Sequence, residues 1–157
     1  MPRRDQICMT DAEIRDFLRN QKTIILCSIG PAGVPHPMPM WFAAADDHSI
    51  SMATFRGTQK IANLRRDPRV SLLVESGRVY AELKGVVIYG RAELSEDTDA
   101  IIATLEAASL KETVETDART RAVMTEAMRR TAPKRMLIRV APERIISWDH
   151  AKLQGAY

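Results

Sequence analysis

The sequence predicts a mainly β, α+β fold: a six-stranded antiparallel barrel with short peripheral helices. Three observations lead there. β-Branched runs recur between clear turn signals, consecutive runs are joined mostly as hairpins, and helical periodicity is confined to brief interruptions. The 157 residues suit one domain, 1–157, with no repeat, low-complexity tract or linker to divide it.

The first element is a helix over 10–19. Thr10-Asp11-Ala12-Glu13 reads as a capping box, in which the threonine accepts from the N3 amide and the glutamate reaches back. Ile14, Phe17 and Leu18 follow as its apolar stripe. Residues 23–29 form a strand ended by the turn Gly30-Pro31-Ala32-Gly33, and 34–44 return as its hairpin partner. Asp46-Asp47-His48 turns into a third strand, 49–54. Val70, Leu72 and Val74 alternate inward in a fourth, 69–75. Ser76-Gly77 leads into a long fifth strand, 78–93, where Gly85 suggests a bulge. Two helical stripes follow as packing elements: Ile101, Leu105 and Ala108, then Met124, Ala127 and Met128. The last strand, 135–148, is expected to bend at Pro142.

Pro35, Pro37 and Pro39 alternate along the second strand, so every second amide donor is missing. A central strand paired on both sides does not tolerate that. Two readings stand: an edge strand protected from aggregation, or a place where the sheet opens toward a ligand or a second subunit.

Composition excludes several classes. No apolar run approaches the roughly 18 residues of a membrane span, and no apolar h-region follows the basic start, so a cytoplasmic protein is expected. The net charge of +3 is modest, and aromatics at 5% argue against base stacking, so no nucleic-acid partner is expected. Cys8 and Cys27 lack metal or CxxC spacing and are expected to be reduced, with Cys27 a small buried hydrophobe. His36, His48 and His150 stand too far apart for a metal motif. His36 reads as a satisfied strand histidine and His48 as a solvated turn residue. No Ser/His/Asp set or paired carboxylates appear. The tail Asp149-His150-Ala151-Lys152 either frays or folds over a ligand.

The stretch that carries chemistry is Thr54-Phe55-Arg56-Gly57-Thr58-Gln59-Lys60, followed by Ile61-Ala62-Asn63-Leu64-Arg65-Arg66-Asp67-Pro68. Ile61 and Leu64 mark a short helix that stops before Pro68. Free amides and the positive end of the dipole at its start suit an anion. Lys60 in the first turn opposes the usual preference for acids there, unless an anion sits beside it. This chemistry supports a phosphate held by Thr54, Thr58 and Lys60, with Arg56 nearby. The alternative is equally physical: Thr58 as a plain N-cap and Lys60 as a solvated surface charge.

The order of these motifs resembles the pyridoxamine 5′-phosphate oxidase-like, FMN-binding split-barrel family. The resemblance runs through Gly33-Val34-Pro35-His36-Pro37, the phosphate turn, residues 67–74, Tyr89-Gly90-Arg91-Ala92-Glu93-Leu94, and the closing segment 147–157. It implies a six-stranded antiparallel split β-barrel working as a homodimer with the cofactor at the interface. FMN is the implied cofactor and the deazaflavin coenzyme F-420 its alternative. The implied cofactor-binding residues are Met38, Pro39, Met40 and Trp41 along the ring, and Thr54, Arg56, Thr58, Gln59 and Lys60 around the phosphate. The implied activity is hydride transfer between reduced cofactor and a small organic substrate. Related proteins also bind haem or no cofactor at all, so a non-catalytic flavin- or haem-binding protein is the other reading the resemblance implies. The oxidase proper carries arginines where this chain has Met38 and Gln59, a glutamine near Gly85, and an arginine-rich C-terminal substrate motif that this chain lacks. Those departures argue against pyridoxamine phosphate oxidation itself.

Overall fold

A computed structural model describes residues 3–111 and 117–153. Its centre is a mainly antiparallel sheet of seven strands curled into a split barrel. The strands are β1 (Thr23–Ile29), β2 (Pro35–Trp41), β3 (Ala43–Ala44), β4 (Ile50–Phe55), β5 (Arg69–Ser76), β6 (Lys84–Ser95) and β7 (Arg135–Asp149). They lie in the order β2-β1-β5-β6-β7-β4-β3. The two ends of that list, β2 and β3, are separated in the chain by Phe42 alone, so the sheet must curl until its ends meet.

Phe42 also explains why seven strands appear where six are expected. Its ring is fully buried, and the backbone swings there to leave one end of the sheet and join the other. The single return run 34–44 is thereby cut into β2 and β3. Inward-facing Ile24, Leu26, Ile50, Met52, Leu72, Val86, Ile88 and Ile138 fill the barrel with Phe42. Fully burying one such side chain contributes about 1.5–3 kcal/mol relative to leaving it exposed.

The expected fifth strand starts later than 78. Residues before Lys84 fold into a short 3-10 turn, Tyr80–Glu82. Gly85 is not a bulge. It lies opposite Trp148, and a Cβ there would fall 2.3 Å from the indole. The bulge lies instead between Tyr89 and Gly90, whose partners on β7 are Arg144 and Pro142, leaving Glu143 unmatched. The expected bend at Pro142 falls at that point. A Cβ on Gly90 would meet the Ala141 carbonyl at 2.5 Å, so the bent strand can pass closely only over a glycine.

Among the described residues five α-helices surround the sheet: α1 (Arg3–Ile7), α2 (Asp11–Asn20), α3 (Gln59–Arg66), α4 (Thr98–Ser109) and α5 (Ala118–Thr131). The capping box of α2 is present in both directions. α4 buries Ile101 and Ala108 as its stripe requires, but α5 has no fully buried residue among those described. Met124 and Met128 are only half-buried and Ala127 is exposed, so α5 is a covering element rather than a core one. No helix among the described residues is long and apolar enough to cross a membrane.

The C-terminal segment is docked rather than frayed. His150–Leu153 forms a 3-10 turn. The His150 amide bonds the Leu83 carbonyl at 2.9 Å, and its ring nitrogen Nδ1 lies 3.0 Å from the Tyr80 carbonyl. Lys152 Nζ donates to the Cys8 carbonyl and the Glu13 carboxylate at 2.8 and 2.6 Å. Residues 154–157 of the closing segment lie outside the described residues.

Candidate functional site

β4 ends where α3 begins, and the turn between them carries the anion-binding candidates. Lys60 and Asn63 lie on the face of α3 that packs on the barrel, next to Ile61 and Leu64. Asn63 is fully buried and anchors the helix: its amide donates to Ser28 Oγ at 3.0 Å. Arg66 donates to the Ile29 carbonyl at 2.6 Å and ties down the far end. Neither Asn63 nor Ser28 carried a signal in the sequence, because a buried amide–hydroxyl pair across 35 residues has no local pattern.

Lys60 is buried, with 7% of its surface exposed, and its Nζ lies 3.3 Å from Thr54 Oγ1. Among the described residues it meets no carboxylate. Burial alone pushes its ammonium below the ordinary lysine range. The solvated-charge reading is therefore overturned. The plain N-cap reading falls too: Thr58 occupies the N-cap position, but its hydroxyl donates back to the Phe55 carbonyl at 3.0 Å and makes no capping bond to the helix. The start of α3 keeps its positive end without a side-chain acceptor.

The other residues of the turn are committed elsewhere. Arg56 donates to the carbonyls of Arg135 and Pro133 at 3.0 and 2.7 Å and pairs with Glu96 at 3.0 Å. It braces the turn against the start of β7. Gln59 reaches back along α3 to Asn63 Oδ1 at 2.9 Å.

β2 pairs only with β1 and so is an edge strand, as its prolines require. Met38 and the buried Met40 face inward, while Pro39 and Trp41 face outward. Trp41 is 54% exposed, with Lys22 Nζ 4.2 Å from the ring centroid. β2 and β4 approach one another across the split.

The histidines depart from expectation. His48 is buried rather than solvated: its Nε2 lies 2.6 Å from Asp11, and its backbone φ of 62° tightens the turn. His36 is not a satisfied strand histidine, because its Nδ1 is buried without a hydrogen-bond partner. Cys27 is only half-buried, on the outer face of β1, and both cysteines are free thiols. No cluster of metal-ligating side chains occurs among the described residues.

Residues 10–149 match the family model for pyridoxamine 5′-phosphate oxidase. The chain belongs to that family. The match takes in the barrel, the turn between β4 and α3, and β2 together. Among solved structures, a conserved hypothetical protein from Mycobacterium tuberculosis is 37% identical, with 98% of this chain and 93% of that one covered and a TM-score of 0.84. An F-420 reductase is 20% identical over 83% of this chain and 94% of its own, with a TM-score of 0.61. An FAD-binding protein from Mesorhizobium loti is 19% identical over 88% and 91%, with a TM-score of 0.57. At that identity the last two show a shared fold alone. Comparison with curated proteins finds no match.

Proposed function

We propose that this family member is an FMN- or F-420-dependent oxidoreductase, acting by hydride transfer on a small organic substrate. The observation that carries the reading is Lys60, a buried cation whose one polar partner among the described residues is a threonine hydroxyl. An uncompensated buried charge is costly, and a phosphate beside it removes the cost. Lys60, Thr54 and the open start of α3 fit such a group, and Met38–Trp41 would lie along the rest of the cofactor. Arg56 supports the turn, and Gln59 is held by Asn63, so the phosphate rests mainly on Lys60.

When bound, the cofactor supplies the hydride chemistry, which is why the chain need not show a general base. The chain's own part is to bind, orient and exclude water. FMN is the first candidate; the fold shared with an F-420 reductase supports the deazaflavin as the second. Pyridoxamine phosphate is not the proposed substrate, because Met38 and Gln59 stand where the oxidase carries arginines.

We also propose a homodimer with the cofactor at the interface. An apolar row crosses five strands on the outside of the barrel: Pro39, Ile25, Leu73, Val87 and Ile146 are mutual neighbours in register. Outward sheet faces exposed to water alternate to polar residues, and a continuous apolar row suits a second copy.

The purified protein is tested by absorbance and by titration with FMN and F-420. Visible cofactor, or binding at micromolar concentration, is expected; binding of neither would overturn the assignment. Light scattering should give a dimer at micromolar concentration, and a monomer would remove the interface.

A further inference from the structure

We infer that the free edge of β2 is an acceptor-only wall that selects the reduced cofactor over the oxidised one. The inference rests on the cofactor reading above.

Antiparallel pairing alternates two kinds of residue. In one kind both N–H and C=O point at the partner strand; in the other both point away. Pro35, Pro37 and Pro39 face Ile29, Cys27 and Ile25 across the β1–β2 ladder. A proline cannot exchange a ladder bond, so these three are the outward kind. His36, Met38 and Met40 then direct their donors at β1. The free edge from Pro35 to Pro39 consequently presents three carbonyls and no N–H. An ordinary edge strand presents both.

The topology says where this edge faces. Ala43 and Ala44 pair with Ser51 and Ile50. Running back from Ala43, the chain passes Phe42 into β2, while β4 runs forward to Thr54 and on to Lys60. The edge therefore faces β4, on the side where the anion grip lies. One wall of the split offers donors and positive charge at Thr54, Lys60 and the start of α3. The other offers carbonyl acceptors at Pro37 and Pro39.

A ligand fitting both walls carries an anion at one end and N–H or O–H donors at the other. Flavins and deazaflavins both gain ring N–H groups on two-electron reduction, because a ring nitrogen that only accepts becomes a donor. An acceptor-only edge can pair with that added donor and opposes the lone pair that precedes it. The ring imide N–H, ring hydroxyls and chain hydroxyls are present in both redox states and cannot produce the preference, which comes only from the N–H that reduction adds. An edge with its amides intact would favour neither state so strongly.

The test is the dissociation constant of FMN, and separately of F-420, measured anaerobically in both redox states on the full chain. Reduced cofactor is expected to bind about tenfold tighter, which raises the bound midpoint potential by about 30 mV for a two-electron couple. Replacing Pro37→Ala and Pro39→Ala together restores two outward donors and is expected to shrink the preference toward unity. A variant that keeps its unfolding midpoint but also keeps the tenfold preference would overturn the role of the edge. Equal binding of the two states by the unmodified chain, or tighter binding of the oxidised one, would overturn the inference while leaving the cofactor reading intact. Binding of neither cofactor in either state would overturn both.

Discussion

Lys60 and Lys111 are both withdrawn from water without a carboxylate among the described residues, yet they are satisfied in different ways. Lys111 Nζ donates to the carbonyls of Leu18 and Gln21 at 2.9 and 3.0 Å, closing the C-terminal end of α2. It also sits 3.6 Å from the centroid of Phe42, the ring at the junction of β2 and β3. Helix C-termini and aromatic faces both attract cations. Lys60 stands beside the opposite end of a helix, where the dipole repels it, and has one hydroxyl for company. The first lysine completes the fold. The second has only that hydroxyl among the described residues, which is what supports the binding role proposed for it. Burial lowers both pKa values, Lys111 to about 8, so burial alone does not separate the two roles; the partners do.

The largest expected effect breaks the comparison at Lys60. Lys60→Met removes a charge-assisted contact of about 1.5–3 kcal/mol. FMN affinity should fall roughly 10–100-fold by fluorescence titration, at 1.4 kcal/mol per decade. The unfolding midpoint of the cofactor-free protein should hold or rise, since an uncompensated buried charge is gone.

Lys111→Met should do the reverse. Two helix-end carbonyls lose their donor and the ring loses its cation, a cost of about 1–3 kcal/mol read by urea unfolding. Affinity for FMN should stay within about twofold. A Lys111 variant that loses affinity as strongly as the Lys60 variant would erase the distinction between the two.

The pH dependence sharpens it further. The folded pKa of Lys111, about 8, lies below the ordinary 10.5. Between those values the unfolded chain binds more protons, so this group makes stability rise with pH across that window. Below about 8 both states are charged and the burial cost is fully present. Urea unfolding from pH 7.5 to 10.5 should show the rise in the unmodified chain, and Lys111→Met should flatten it.

The smallest effect belongs to the clamp at the opposite end of the chain. Lys152 beside Glu13, with the Thr10 amide, holds that carboxyl at about 2. Its stabilisation is present above the ordinary 4.5 and is lost as pH falls toward 2. Lys152→Ala should lower the midpoint slightly at neutral pH and narrow its difference from the unmodified chain in acid, with cofactor affinity unchanged.

Much of this was legible in the chain itself, for physical reasons that are local. The α2 capping box, strand β1 and the edge character of β2 depend on neighbours three residues apart or on missing amides, which any sequence displays. The order of Thr54, Thr58 and Lys60 before a short helix was equally visible. What stayed hidden depends on contacts between distant residues. By its neighbours alone Gly85 reads as a bulge, whereas in the fold Trp148 lies against it, and the close approach of Gly90 to Ala141 has no local signature. His48 in a run of turn residues looked solvated, but α2 packs over it and supplies Asp11.

The sequence by itself determined that an antiparallel barrel would form, that β2 would lie at an edge, and that a lysine would follow β4 at a helix start. Only the tertiary structure decided what that lysine is. Whether a cation is solvated, paired or stranded depends on which groups the fold brings within about 3 Å, and a chain position does not carry that information. Lys60 and Lys111 are the same residue, and what separates them is what lies around each in the folded chain.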